Sequence, residues 1–205
     1  MAIWYGIKRR VERKMYQMVT IREKFRLMIN GVKYGVGLSV RGRLLIMNQG
    51  KIIIGTNVII NSSARANFAG GGITSIQVGP EGMLSIGNNV GVSNVAITAF
   101  NRVVIHDNVM LGAGVKIYDT DFHPVEAEYR YGEGKDNKFV QTKAVEIKSG
   151  AFIGADTIVL KGVTVGSNAV VGAGSVVTHT VPDNEVWAGN PARFIKRLKD
   201  ECDNE

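Results

Sequence analysis

The residues best suited to chemistry lie together in one stretch, Asp119-Thr120-Asp121-Phe122-His123-Pro124. His123 is one of three histidines in the chain, preceded by two carboxylates and followed by proline. Imidazole is the side chain whose ordinary titration falls nearest neutral pH, which suits it to moving a proton. The segment around it, between Ile117 and Ile147, is polar and charged, with Glu126, Glu128, Arg130, Glu133, Lys135 and Asp136. Other signals are weaker. Gly70-Gly71-Gly72 is followed neither by Gly-Lys-Ser/Thr nor by a helix, so it reads as a corner loop and not a phosphate cradle. The single Cys202 sits in an acidic tail, which excludes a disulfide framework and points to a reducing, cytoplasmic setting.

What must position this stretch is a repeat. From Val145 to Val181 every sixth residue is a β-branched aliphatic: Ile147, Ile153, Val159, Val165, Val171 and Val177. A second series runs two residues ahead: Val145, Ala151, Thr157, Val163, Ala169 and Ser175. Helices repeat near 3.6 and strands at 2, so a period of six requires short strands joined by corners, three to a triangular coil. Ile147 is then expected to stack on Val165, Ile153 on Val171 and Val159 on Val177. Small residues and Gly suit the corners.

The phase is less regular upstream. Aliphatic pairs run from Val40 to Ile60, break between Asn67 and Gln77, and resume at Val78. The spacing slips by one residue near Val95 to Ile97, then holds through Ile105, Leu111 and Ile117. Because the repeat stops for nearly thirty residues and restarts in order, the intervening stretch is expected to loop out; such excursions from compact repeats usually carry function.

Residues 4–29 read as an amphipathic helix, with Trp4, Ile7, Val11, Met15, Met18, Ile21, Phe25 and Met28 on one stripe. Residues 1–30 hold eight Lys or Arg against Glu12 and Glu23, a net of +6, while the other 175 residues carry only +1. A uniformly basic nucleic-acid surface is therefore not indicated. The helix suits packing on the prism or on a neighbouring subunit, or else resting on anionic lipid or facing a membrane-anchored glycan. The organisation expected is an N-terminal helix over 1–30, a β-helix over 31–190 with an excursion at 118–144, and a short basic cap helix with an acidic tail over 191–205.

Residues from about 78 to 198 resemble the hexapeptide-repeat acyltransferases, in particular the maltose, galactoside and bacterial polysaccharide O-acetyltransferases. The resemblance rests on the repeat, the Asp119–Pro124 loop, the coil Val171-Gly172-Ala173-Gly174-Ser175-Val176-Val177-Thr178, and the closing Ala188-Gly189-Asn190-Pro191-Ala192-Arg193. It implies an all-β fold, a left-handed parallel β-helix, assembled as a homotrimer. The activity implied is transfer of acetyl from acetyl-coenzyme A to a sugar hydroxyl in surface polysaccharide synthesis.

In that scheme His123 is the general base, and Asp119 or Asp121 orients its ring. Asn94 approaches the acceptor, although an interior asparagine ladder would also place Asn there. Ala155, Gly172, Ala173, Thr178 and His179 line the coenzyme groove; the family usually has Lys where His179 stands. Arg193 and Lys196 fall where basic residues meet the nucleotide phosphates.

The resemblance also admits other readings. An amino-sugar N-acyltransferase would share the fold and groove, and a trimeric scaffold would share the fold but has no need of the Asp119–Pro124 loop. Some hexapeptide-repeat proteins are zinc carbonic anhydrases with a close histidine pair. His106, His123 and His179 stand 17 and 56 residues apart, so no metal is expected.

Overall fold

The structure is a computed structural model that describes residues 21–67, 70, 72–131 and 139–198. The upstream part of the 4–29 helix and Cys202 with its tail lie outside the described residues. Three parallel sheets form the three faces of a prism. The first face holds β1 (Lys33–Tyr34), β4 (Lys51–Ile54), β7 (Met83–Ile86), β10 (Arg102–Ile105), β13 (Val145–Ile147) and β16 (Thr164–Val165). The second holds β2 (Ser39–Gly42), β5 (Ile59–Ser62), β8 (Gly91–Ser93), β11 (Met110–Leu111), β14 (Phe152–Ile153), β17 (Val170–Val171), β19 (Glu185–Gly189) and β20 (Ala192–Arg197). The third holds β3 (Leu45–Asn48), β6 (Ser75–Val78), β9 (Ala96–Ala99), β12 (Lys116–Tyr118), β15 (Ile158–Val159) and β18 (Val176–Val177). The chain visits the faces in turn and returns one strand further along, which is the path of a parallel β-helix.

The six-residue period translates directly into register. Ile147 pairs with Val165, Ile153 with Val171 and Val159 with Val177, as the spacing requires. All six members of the second series are buried as well, at 0–1 % exposure. The interior is therefore a set of aliphatic columns with small residues at the narrow corners. Replacing Ile147, at the centre of the column Ile105–Ile147–Val165, with Ala should cost about 3 kcal/mol and lower Tm by roughly 10 °C in calorimetry.

Corners between the first and second faces use asparagine at five positions, beside glycine at Gly37 and Gly150. Asn57, Asn89, Asn108, Asn168 and Asn184 all have φ between 55° and 59°, the left-handed region that Asn tolerates. Their amides form a ladder: Asn57 donates to Asn89, Asn89 to Asn108, and Asn168 to Asn184, at 3.1–3.3 Å. Along this edge Asp107 accepts the Asn88 N–H at 2.6 Å, which holds its carboxyl below the usual value.

One expectation is corrected. The C-terminal segment is not a helix: Ala192–Arg197 is β20, which pairs antiparallel with β19 after the turn at residues 190–191. The reason is local. β19 is left with open backbone groups beyond the last coil, and an extended return strand satisfies them where a helix could not.

The N-terminal helix, α1, is described over residues 21–29. It packs on the first coil through Glu23 and Leu27, both fully buried, and not through the stripe of Ile21, Phe25 and Met28, which faces outward. Glu23 accepts the N–H of Leu44 at 3.1 Å and pairs with Arg26 at 2.9 Å. Arg26 in turn donates to the Leu44 carbonyl at 3.0 Å. A buried carboxylate satisfied in this way outweighs the apolar pattern in deciding which face turns inward.

Candidate active site

The excursion leaves the prism after β12, at the edge between the third and first faces, and rejoins at β13. His123 is exposed near its start. Its own N–H donates to the Asp121 carbonyl at 2.7 Å, closing a three-residue turn around Phe122. Phe122 has φ +64°, a left-handed conformation rare for a bulky side chain. Strain of this kind persists only where the surroundings hold it. Here the Phe122 N–H reaches the Thr120 hydroxyl at 3.2 Å, and its ring meets Tyr118 edge-on at 5.1 Å. Beyond the turn Pro124 is buried, and Arg130 at the end of the short helix α2 (Ala127–Arg130) donates to the Val125 carbonyl at 2.8 Å.

Both carboxylates anchor this loop; neither carboxylate's hydrogen bond or ion pair is to His123. Asp119 is fully buried and accepts the amides of Phe100 (2.8 Å) and Asn101 (2.7 Å), closing the corner between β9 and β10. Burial pushes its carboxyl above the ordinary value, while those amides pull the other way. Asp121 pairs with Lys161 of the coil below at 2.7 Å, and its amide donates to the Gln141 carbonyl across the loop's neck. Of the two candidates for orienting the imidazole, Asp119 places both oxygens on backbone amides, whereas Asp121 engages Lys161 through Oδ1 and keeps a buried Oδ2 with no partner among the described residues. Lys161 and the turn at Phe122 were not found by sequence reasoning. The Phe122 turn leaves no sequence signature, because bulky residues seldom mark positive φ.

Asn94 lies at a different edge, between the second and third faces. It has φ +50° and is 7 % exposed. Its Nδ2 donates to the Gly70 carbonyl, and its Oδ1 is buried with no partner within the described residues. The one-residue slip seen in the sequence falls at this corner, where the chain takes five residues from Val92 to Ile97 instead of the six from Leu111 to Ile117. The segment after β5 comes to rest against it, with Gly70 facing Ala113 and Asn94.

Further along the same edge stand Gly112, Gly154-Ala155 and Gly172-Ala173. The coils approach so closely here that a Cβ on Gly112 would lie 2.6 Å from the Ala155 nitrogen, and one on Gly154 would lie 2.5 Å from that of Ala173. The result is a column of nearly bare backbone. The residues named for coenzyme binding divide between places. Ala155, Gly172 and Ala173 lie in this column. Thr178 and His179, hydrogen-bonded at 2.7 Å, follow β18 at the edge that carries the excursion. Arg193 and Lys196 are exposed on β20.

Within one chain, then, the site residues other than Arg193 and Lys196 form two groups separated by the width of the third face. The four residues of β9 alone span about 13 Å. A groove of about 300 Å³ runs across that face, lined by Leu45, Met47, Gln77 and Thr98 among others. His106 belongs to neither group: it sits between the first and second faces, paired with Glu146 at 2.7 Å. Among the described residues no three His, Cys, Asp or Glu side chains converge as metal ligands.

Comparison with known proteins matches this architecture. The family described as bacterial transferase hexapeptide (six repeats) matches residues 144–179. A galactoside O-acetyltransferase of Lactococcus lactis is 32 % identical over 148 residues, covering 72 % of this chain and 63 % of that protein. The chain is thus similar to hexapeptide-repeat transferases, through the repeat at residues 144–179 and through this relative. A lipopolysaccharide-biosynthesis O-acetyltransferase of Escherichia coli, WbbJ, itself assigned only putatively, is 27 % identical and covers 79 % of this chain and 80 % of its own. In fold, the chain resembles AntD, an N-acyltransferase from Bacillus cereus solved with dTDP and coenzyme A. The TM-score is 0.70 at 23 % identity, over 85 % of this chain and 89 % of that one. The chain spans about three fifths of the length of the galactoside O-acetyltransferases it matches.

Proposed function

We propose that this protein is an acetyl-coenzyme A-dependent O-acetyltransferase whose acceptor is a sugar hydroxyl in surface polysaccharide synthesis. It would act as a cytoplasmic homotrimer of left-handed β-helices. The observation that carries the reading is the exposed His123 on a left-handed turn whose neighbouring carboxylates fasten the loop to the prism. A histidine held this way on a rigid support is suited to meet a substrate brought from outside its own chain.

The two groups of residues lie on two edges, so each site is completed by placing the bare-backbone column of one subunit beside the excursion of the next. The pantetheine arm lies along Gly112, Ala155, Gly172 and Ala173, where missing side chains let it approach the main chain. Thr178 and His179 of the adjoining edge border it, and Arg193 and Lys196 supply positive charge toward the phosphates. Asn94 stands on the acceptor side.

The chemistry is direct transfer. His123 removes the proton from the sugar hydroxyl as its oxygen attacks the thioester carbonyl. The new ester C–O bond forms, the C–S bond breaks, and the coenzyme leaves as its thiolate, which takes up a proton. Asp119 and Asp121 serve as positioning residues, through the loop they anchor.

The reading is tested by thiol release from acetyl-coenzyme A against a panel of neutral and amino sugars. Stoichiometric thiol and O-acetylated sugar are expected. Acetylation confined to amines would replace the acceptor class. No release, together with no coenzyme binding, would leave a scaffold.

A further inference from the structure

α1 presents an apolar face that nothing in the described chain covers. Ile21, Phe25, Met28 and Ile29 are 68 %, 59 %, 56 % and 65 % exposed. Their spacing of four, three and one places them on one side of the helix. The opposite side is fixed to the prism by Glu23 and Leu27, so the helix cannot roll to bury them without breaking the Glu23–Leu44 and Arg26–Leu44 hydrogen bonds. In the sequence the same three-and-four spacing continues upstream through Met18, Met15, Val11, Ile7 and Trp4.

Exposed charge at this end of the prism is of one sign. The near-neutral total of residues 31–205 conceals a separation along the prism. Residues 31–80 hold five Lys or Arg and no Asp or Glu, whereas residues 81–205 hold 12 Lys or Arg against 16 Asp or Glu. Glu23 is fully buried, so the described residues up to 80 expose no carboxylate. Arg22, Arg41, Arg43 and Lys33 in this part are exposed, on the helix or on the first coil that it covers.

We propose that the outward face of α1 docks this protein on an anionic lipid bilayer, the apolar side chains entering the headgroup–acyl boundary and the basic rim meeting lipid phosphates. A second copy fits the face less well. Self-association through it would set the same arginines and lysines against one another. An anionic bilayer is complementary to both features at once. The docking does not depend on acyl transfer, and its test needs no acceptor.

The experiment is co-sedimentation of the full chain with phosphatidylcholine vesicles, with and without phosphatidylglycerol. Wild type should pellet with the anionic vesicles, far less with the neutral ones, and be partly released at about 0.5 M salt, where screening shortens to about 4 Å. Phe25→Glu combined with Met28→Glu should lower partitioning by at least roughly tenfold, with Tm and oligomeric mass unchanged. Ile21→Ser with Ile29→Ser is the second variant should the first not fold. Wild type left in the supernatant, variants that pellet equally well, or a variant with a smaller oligomeric mass would each overturn the proposal; the last would make this face a contact between copies.

Discussion

His123→Ala should lower kcat for acetyl transfer by roughly 10³-fold, with the KM for acetyl-coenzyme A nearly unchanged. A sugar hydroxyl is a weak nucleophile at neutral pH, and a positioned base commonly contributes 10²–10⁴-fold. The side chain removed is exposed. The loop is held by groups that the substitution leaves intact: Asp119 on the Phe100 and Asn101 amides, Asp121 on Lys161, and Arg130 on the Val125 carbonyl. The variant should therefore remain folded, with the loop still held at these points. Steady-state thiol release, read beside a melting curve, checks both halves. Equal rates for variant and wild type would remove the assigned role.

Ala173→Trp should raise the Kd for coenzyme A by at least roughly 30-fold, about 2 kcal/mol of lost binding. Ala173 is exposed in the column where neighbouring coils come too close to admit a side chain at Gly154, so an indole there fills the space above the bare backbone without entering the core. Ser149→Trp, on the edge between the first and second faces, is the matched control and should bind coenzyme as wild type does. Calorimetric titration separates the two. If both variants bind normally, the coenzyme does not follow this column. If both lose affinity, the effect of the added ring is not local to it.

These expectations depend differently on sequence and on structure. The period of six was legible because identical positions stack in identical surroundings, so selection for β-branched aliphatics and small corner residues repeats visibly. The excursion was legible by contrast, as a gap in that pattern with a histidine in it. The asparagine ladder was harder to see: Asn57, Asn89 and Asn108 recur at unequal intervals, because insertions between coils shift their numbers without shifting their place in space.

Where single contacts decide the outcome, pattern was a poor guide. The stripe of Ile21, Phe25 and Met28 satisfies every rule for an inward face, yet one carboxylate bonded to the Leu44 amide turns the helix over. Phe194 to Lys199 has the composition of a short basic helix, but Ala192–Arg197 lies beside the unpaired edge of β19 and takes the extended form. Asp119 and Asp121 stand close to His123 in sequence, while their carboxylates are held by an earlier corner and a later coil.

By itself the sequence determined the coil, its register and the point where the chain leaves it, since those follow from periodic burial and need no knowledge of which parts of the molecule meet. Only the tertiary structure decided what each polar group is bonded to, which side of α1 faces out, and on which edge each site residue stands. Those outcomes depend on partners distant along the chain, and a hydrogen bond to a group twenty residues away leaves no period behind it.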